Sequence, residues 1–460
     1  MSVTAPTTLT LENTCAIDPK VRKLRRAMMV LILSIFFVLI PIFSATGIVE
    51  NHNLNKLGRY LCFAIAAVGI DLAWGYTGIL SLCQAVFFCI GGYACAMFLA
   101  LPEGGGDVRQ EYGNMPQFLF FANPDSTTLP WFWKPFSSPI FALAVAILLP
   151  AFVASTVAFF IFRSRVKGVY FSIITQAVAW GAFLMLCRNE MLMGGTNGLT
   201  NFSKALNQEH GWILGLYVLT CFVLLGIYLL ARWITRSRLG RVLVAVRDNE
   251  SRLLFSGYRP DLFKVFAFAA AAVFAAVGGM LYAPQNAIIT PNIMRVEDSI
   301  MMVIWVALGG RGRLWGAILG SMIVLYSQSI LTSSLPTFWP FVQGGMFLAV
   351  VLFMPDGLVS FWDRVEQAVV SGAGFRKAII AGAPLFALVT FIFFEGLGLM
   401  PSVLTHVVGG LQWSYWLLLL VLALCVAHHQ WMSAMQRRMH AVATPTSTDE
   451  SMLATEGAKA

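Results

Sequence analysis

Residues 138–162, "SPIFALAVAILLPAFVASTVAFFIF", contain no charged side chain. A helix that crosses a bilayer needs about 20 consecutive apolar residues, because each residue advances about 1.5 Å through a hydrocarbon core about 30 Å thick. The basic turn RSRVK (163–167) follows at once. Since loops rich in Lys and Arg stay on the cytoplasmic side of a membrane, the stretch predicts a transmembrane helix that ends at the cytoplasmic surface.

The rest of the chain repeats this pattern. Mean hydropathy is +0.75 and 12% of the residues are charged, against about 25% in soluble domains. We predict an all-α polytopic membrane protein with about ten core transmembrane helices and two extra C-terminal helices. The predicted spans are 27–46, 57–75, 79–101, 138–162, 168–187, 211–231, 263–283, 297–310, 314–333, 338–354, 379–398 and 411–428.

The net charge of +9 does not indicate a nucleic-acid partner, because Lys and Arg cluster between the apolar runs, as orientation signals do. The lead at 20–26 is strongly basic and places the N-terminus in the cytoplasm. The eight cysteines form no CxxC pair, so small buried hydrophobic side chains are favoured over a metal or disulfide framework.

Residues 232–264 carry eight basic residues against three acidic ones and are predicted to be cytoplasmic. Asp248 or Asn249 can cap a short helix over 250–256, and Gly257 suits the left-handed position that ends such a helix. The segment therefore predicts two short helices rather than a flexible linker. The first of them has one apolar face, formed by Leu239, Val242, Leu243 and Val246.

Several longer motifs resemble the branched-chain amino acid permease family of ABC importers, and within it the urea-type permease. The family motifs are "GYTGILSLCQAVFFCIGGYACAM" (75–97), the stretch 168–202 ending in "GGTNGLTNF", the stretch 278–320 ending in "GGRGRLWGAILG", and "FMPDGL" (353–358). The urea branch is indicated by "LPWFWKPF" (129–136), "FRSRVKGVYFSIITQA" (162–177), "VRDNESRLLFSGY" (246–258) and "SIMMVIWVALGGRG" (299–312).

The resemblance implies a transport subunit without enzymatic activity or cofactor, in a bacterial inner membrane. Its partners would be a second permease subunit, two cytoplasmic ATP-binding subunits, an extracytoplasmic substrate-binding protein and membrane lipid. The chain has no GxxxxGK[ST] phosphate loop, so ATP would be hydrolysed on other subunits. The resemblance also places a coupling loop to the ATPase at 232–264, with contacts from Arg247, Asn249, Glu250, Arg252 and Gly257.

Three regions follow from the charge pattern and the resemblance together. Residues 1–26 are a cytoplasmic N-terminal segment, and residues 27–358 are the permease membrane domain. Residues 359–460 depart from the family pattern, because family members usually stop soon after a motif like 353–358. They form an extension with two predicted transmembrane helices and a disordered tail.

Polar side chains at bilayer depth are costly and are usually functional or paired. Asp71 follows an apolar run, and Gly75 and Gly78 indicate a broken helix near 75–79. A structural role for Asp71, and helix-to-helix hydrogen bonding for Gln84, remain the alternatives. The candidate substrate-pathway residues are Asp71, Trp74, Thr77, Ser81, Gln84, Gln176, Thr196 and Asn197, with Phe87, Tyr170, Gln285 and Asn286 as further candidates.

The sequence thus predicts the membrane subunit of an ATP-driven urea importer. A permease for branched-chain amino acids or short amides is the alternative within the family. An ion-coupled secondary transporter or channel is the alternative from another class, and it usually requires several acidic or histidine side chains within the membrane. Asp71 is the main mid-membrane charge visible here, which favours a neutral solute.

Overall fold

A computed structural model describes residues 40–45, 50–106, 129–164, 168–200 and 210–334. It also describes the short pieces or single positions 108–109, 115–116, 166, 341, 344–345, 348, 357–358, 407–408 and 411–412. The predicted span at 379–398, and most of those at 27–46, 338–354 and 411–428, lie outside these residues. The described residues therefore include the predicted spans from 57–75 to 314–333.

The described residues are mostly helical. The helices are α1 (Ile40–Ala45), α2 (Asn51–Ile70), α3 (Gln84–Ala100), α4 (Pro139–Arg163), α5 (Val169–Leu186), α6 (His210–Arg236), α7 (Arg238–Asp248), α8 (Glu250–Phe255), α9 (Pro260–Asn286), α10 (Val296–Gly309) and α11 (Leu314–Ser334). A π-helical turn, Asp71–Gly75, continues α2. Single 3-10 turns lie at Pro102–Gly104, Lys134–Ser137, Asn189–Met191, Gly195–Asn197 and Pro291–Met294.

Five helical stretches are long and apolar enough to cross a membrane: Asn51–Gly75, Pro139–Arg163, Val169–Leu186, Gly211–Arg236 and Pro260–Asn286. They coincide with five of the predicted spans. The predicted span 79–101 is shorter, because its helix begins only at Gln84. The predicted spans 297–310 and 314–333 are α10 and α11, which bend by 118° at their junction. The described helices thus agree with an all-α membrane protein, although the total of ten core helices extends beyond them.

Helix α9 lies at the centre and packs against α2, α3 and α4. The contact with α3 is close because glycines face backbone on both sides. A Cβ atom at Gly279 would overlap the carbonyl of Phe88, and one at Gly91 would overlap the carbonyl of Ala276. Small residues allow helix backbones to approach in this way inside membranes. The glycines of the GAILG motif (316–320) on α11 contact the backbone of α10 equally closely, so the motif packs two helices of this one subunit.

Helices α4, α5 and α6 present apolar faces outward. Phe152, Phe160 and Trp233 are all at least 65% exposed. Large exposed apolar faces in a soluble protein would be a liability, whereas in a membrane they face lipid or another membrane subunit. The centre of the bundle is therefore made by α2, α3 and α9, which are buried, and its periphery by α4 to α6.

The strands are two residues long in each case. Val108–Arg109 (β1) pairs antiparallel with Met115–Pro116 (β2), and Val407–Val408 (β3) pairs antiparallel with Leu411–Gln412 (β4). The predicted helix 411–428 is therefore wrong in its first two residues, because their backbone is extended and paired with β3.

Candidate functional site

The break in the second predicted span lies close to its predicted place near 75–79. After the π-helical turn the helix ends at Thr77, whose hydroxyl donates to the carbonyl of Ala73. Gly78 then takes a left-handed φ of 77°. Residues 78–83 are not helical, and α3 begins at Gln84. One predicted crossing is therefore a non-helical segment followed by a shorter helix.

Helix α5 supports this non-helical segment. Ser172 Oγ donates to the carbonyl of Leu80 at 2.8 Å, and the backbone N–H of Leu82 donates to Thr175 Oγ1 at 3.1 Å. Backbone groups inside a bilayer need partners because no bulk water reaches them. The two hydroxyls of α5 therefore stabilise the break. Ser172 and Thr175 were not among the predicted site residues; their spacing of three residues, which places both hydroxyls on one face of α5, is the signal that could have found them.

The π-helical turn of the broken helix is bonded to the turn between α10 and α11. Asp71 is fully buried, and its Oδ1 accepts a hydrogen bond of 2.6 Å from the backbone N–H of Gly312. Arg311 Nε donates to the carbonyl of Trp74 at 3.2 Å, and its guanidinium lies 5.1 Å from the centre of the Trp74 ring. Asp71 thus has the structural partner that the sequence left open as an alternative.

Arg247, which lies at the end of α7 in the charged segment 232–264, contacts the end of the same broken helix. Its Nη1 donates to the carbonyl of Gly75 at 2.8 Å, and its Nε and Nη2 each lie 3.0 Å from Asp248 Oδ1. A hydrogen bond from a charged donor is about twice as strong as a neutral one. We call the residues Asp71, Gly75, Arg247, Arg311 and Gly312 the junction. The junction joins the broken helix, the turn between α10 and α11, and residues 232–264, which we call the charged loop.

The charged loop has the predicted internal order. Helix α7 is capped by Ser237, and α8 is capped by Asn249, whose Oδ1 accepts from the backbone N–H of Arg252 at 3.0 Å. Gly257 follows α8 with φ of 82°, and α9 starts at Pro260 rather than at Phe263. The prediction of two short helices is confirmed, with Asn249 as the cap.

Glu250 is turned toward the membrane domain. Its Oε1 lies 2.7 Å from Lys264 Nζ, and the two side chains are 19% and 10% exposed. Lys264 Nζ also lies 5.5 Å from the centre of the Phe162 ring on α4. Partly buried ion pairs of this kind fix geometry more than they add stability. The pair therefore holds α8 against α9 and α4.

The outer surface of α8 is apolar at its end. Phe255 is 93% exposed and Leu254 is 52% exposed, whereas Leu253 between helix and bundle is buried. Arg252 is exposed beside them. A protruding aromatic side chain with a basic neighbour is the kind of feature that anchors a protein interface. Phe255 was not among the predicted coupling residues, because a single sequence does not show which face of a six-residue helix is free.

The other predicted site residues fall into separate places. The strand-like contact of Leu199 with Ile289 holds the segment 194–199 against the end of α9, and Thr196 and Asn197 are exposed on it. Gln176 and Tyr170 are exposed on α5. The structure therefore does not bring these four side chains to the junction.

Of the remaining polar candidates, Ser81, Gln84 and Gln285 are buried and Asn286 is half-buried at the end of α9. Ser81 Oγ lies 3.4 Å from Cys83 Sγ. Gln285 Nε2 donates to Thr220 Oγ1 at 2.6 Å, and Asn286 Oδ1 accepts from Arg59 at 2.8 Å. Gln84 is 1% exposed, and neither of its amide atoms has a hydrogen-bond partner. Phe87 is buried against Phe268 of α9, with ring centres 5.7 Å apart.

In the described ranges, no group of three or more His, Cys, Asp or Glu side chains is arranged to hold a metal ion. The described residues offer instead an exposed apolar surface on α8, hydrogen bonds from Arg247, Arg311 and Gly312 to the broken helix, and buried polar side chains next to the break.

The chain is similar to known proteins over most of its length. The family described as "Branched-chain amino acid transport system / permease component" matches residues 54–351. The chain is 23% identical over 345 residues, 69% of its own length and 71% of the relative's, to the high-affinity branched-chain amino acid transport system permease protein LivM of Escherichia coli K12. It is 24% identical over 324 residues to the probable LivM of Methanocaldococcus jannaschii, covering 65% of this chain and 90% of that one.

A more distant relative is the autoinducer 2 import system permease protein LsrC of Yersinia pestis, 27% identical over 227 residues, or 46% of this chain and 62% of the relative. No solved structure matches the chain. The family match covers well over half of the sequence and includes both the broken helix and the charged loop. The chain belongs to the branched-chain amino acid transport permease family, whose members are membrane components of ABC-type transporters.

Proposed function

We propose that this chain is a permease subunit of an ATP-driven ABC importer for urea, and that residues 232–264 are its coupling loop. The observation that carries the coupling role is the hydrogen bond from Arg247 to the carbonyl of Gly75. It links the charged loop directly to the break in the transmembrane helix. A push on α8 by a docked ATPase subunit therefore has a short path to the centre of the bundle.

The proposed assembly contains a second permease subunit, two cytoplasmic ATP-binding subunits and an extracytoplasmic substrate-binding protein, in the inner membrane of a bacterial cell. The N-terminus and the junction lie on the cytoplasmic side, and 194–199 lies on the opposite side, facing the binding protein. The contacts support this orientation, since Gly75, Arg247 and Arg311 meet at one end of the bundle while Leu199 meets Ile289 at the other end of α9.

Urea is favoured as substrate by the stretches that resemble the urea branch and by the chemistry of the pathway candidates. Gln84, Ser81 and Thr77 are neutral and buried, whereas Asp71, the buried acid, is already bonded to Gly312. A zwitterionic amino acid would require charged partners for both of its ends. Transport of branched-chain amino acids is the second candidate, because the LivM relatives are named for it.

Uptake measurements separate these substrates. We expect cells or proteoliposomes that contain this chain with its partner subunits to accumulate labelled urea only while ATP is supplied, and to accumulate labelled leucine at least tenfold more slowly. ATP-independent urea flux would identify a channel or secondary carrier, and preferential leucine uptake would identify the amino acid permease.

Replacing Phe255 with aspartate is expected to weaken ATPase association about 30-fold. An aromatic anchor in the centre of an interface commonly contributes about 2 kcal/mol, and about 1.4 kcal/mol corresponds to a factor of ten. Co-purification of the ATP-binding subunits with the tagged permease measures the effect. Insertion and folding should not change, because Phe255 is almost fully exposed.

A matched control for this substitution is Ser164→Asp, which adds the same charge at another exposed position on the proposed cytoplasmic side. The control is expected to keep the ATPase bound. Equal loss in both variants would point to a general charge effect, and normal co-purification of Phe255→Asp would exclude α8 as the anchor.

A further inference from the structure

Gln84 is the first residue of α3 and is 1% exposed. Both of its amide atoms, Oε1 and Nε2, are buried without a hydrogen-bond partner. Buried side-chain amides nearly always have partners, and leaving one unpaired is destabilising. Gln285 is paired at one end, since its Nε2 is bonded to Thr220 whereas its Oε1 has no partner. An amide that is enclosed and unpaired at both ends therefore requires an explanation.

The position of Gln84 places this amide inside the membrane. Helix α3 has 17 residues, or a length of about 25 Å, which is less than the hydrocarbon thickness of about 30 Å. Its N-terminus follows the non-helical segment 78–83, so the helix starts within the bilayer. A helix start carries a partial positive charge that favours an oxygen acceptor, and here the N–H groups of Ala85 and Val86 already donate to Ser299 Oγ and to the Cys83 carbonyl.

A hydroxyl group and several aromatic rings lie close to the start of α3. The N–H of the next residue, Ala85, donates to Ser299 Oγ on α10 at 3.3 Å. One turn further, on the same face of α3, Phe88 stacks on Phe63 with ring centres 4.8 Å apart. The ring of Trp305 on α10 meets that of Phe63 edge to face, with ring centres 5.3 Å apart. The Nε1 of Trp305 is also buried without a hydrogen-bond partner.

We propose that Gln84 is a substrate-recognition residue that pairs with a neutral solute carrying an unsubstituted amide or urea group. Its Oε1 accepts from a solute N–H, and its Nε2 donates to the solute carbonyl, so that two parallel hydrogen bonds form. Phe88 and Phe63 contact the planar faces of the solute, and Trp305 Nε1 is a further donor along the same path. The solute reaches Gln84 when α3 and α10 separate during the transport cycle.

This inference rests on the proposed function, and it adds the side chain that binds the solute inside the membrane. A purely structural glutamine would have at least one partner, as Gln285 has through its Nε2. If Gln84 served only packing, an apolar side chain of similar size would replace it without loss, because no bond would be broken. The two roles therefore differ in what Gln84→Leu does to transport.

The test uses the complete transporter, reconstituted with its ATPase subunits and binding protein, and measures uptake of labelled urea and acetamide. Gln84→Leu is expected to raise the KM or lower the rate for both solutes at least tenfold, while basal ATP hydrolysis stays within twofold of the wild-type value. The matched control is Thr156→Leu, which removes a polar group from the periphery of the bundle on α4, outside the candidate pathway, and is expected to leave uptake unchanged.

Gln84→Glu serves as a second variant of almost the same size. It exchanges the Nε2 donor for an oxygen and is expected to impair uptake as strongly as Gln84→Leu. Urea uptake within twofold of wild type in both Gln84 variants would overturn the recognition role and leave the proposed function intact. A wild-type transporter that carries leucine but neither urea nor acetamide would overturn both.

Discussion

Replacing Arg247 with alanine is expected to reduce ATP-driven uptake about 10- to 100-fold while the ATPase subunits stay bound. The guanidinium joins Asp248 of the charged loop to the carbonyl of Gly75 at 2.8 Å. A hydrogen bond to a charged group contributes about 1.5–3 kcal/mol, which is the size of a typical coupling energy between two sites. Removing it should leave ATP hydrolysis present but poorly linked to transport.

Two variants test the specificity of this effect. Arg247→Lys keeps the charge but lacks the planar fork that reaches both partners, so we expect it to restore little of the uptake. Arg241→Ala removes a charge from an exposed position on the same helix, α7, and is expected to transport normally. The ratio of solute moved to ATP hydrolysed is the measurement, and an unchanged ratio in Arg247→Ala would contradict the junction as the coupling element.

Local structure in the charged loop could be predicted because its signals are local. Asn249 caps α8 three residues before the N–H that it accepts from, and Gly257 takes the left-handed conformation expected after a short helix. The break after Thr77 was likewise indicated by the closely spaced Gly75 and Gly78. In each case the deciding interaction spans only a few residues of sequence.

The partners across the bundle could not be predicted in the same way. Arg247 and Gly75 are separated by 172 positions, and Asp71 and Gly312 by 241. A single apolar sequence shows which residues enter the membrane but not which face of a helix is buried, so Gln84 and Gln176 looked equivalent. In the structure Gln84 is enclosed, whereas Gln176 is exposed.

The same limitation applies to the glycines, which look alike in sequence but differ in what surrounds them. A Cβ atom at Gly279 would overlap the Phe88 carbonyl oxygen, with its carbonyl carbon 2.6 Å away. At Gly181 of α5 nothing lies within 4 Å. Side-chain ends can move aside, but backbone in a packed helix crossing cannot. The central crossing of α3 and α9 therefore depends on Gly279.

Gly279→Leu is expected to destabilise the bundle by about 3 kcal/mol or more, the upper end for overpacked cores, because α3 and α9 must separate. The recovery of monodisperse protein from detergent-solubilised membranes should fall at least fivefold. Gly181→Leu makes the same substitution where space is open and should be recovered at the wild-type level. Similar recovery of both variants would show that α3 and α9 do not cross as closely as their glycines allow. Loss of Gly279→Leu alone would establish this crossing as the support of the broken helix, since α3 begins where the break ends.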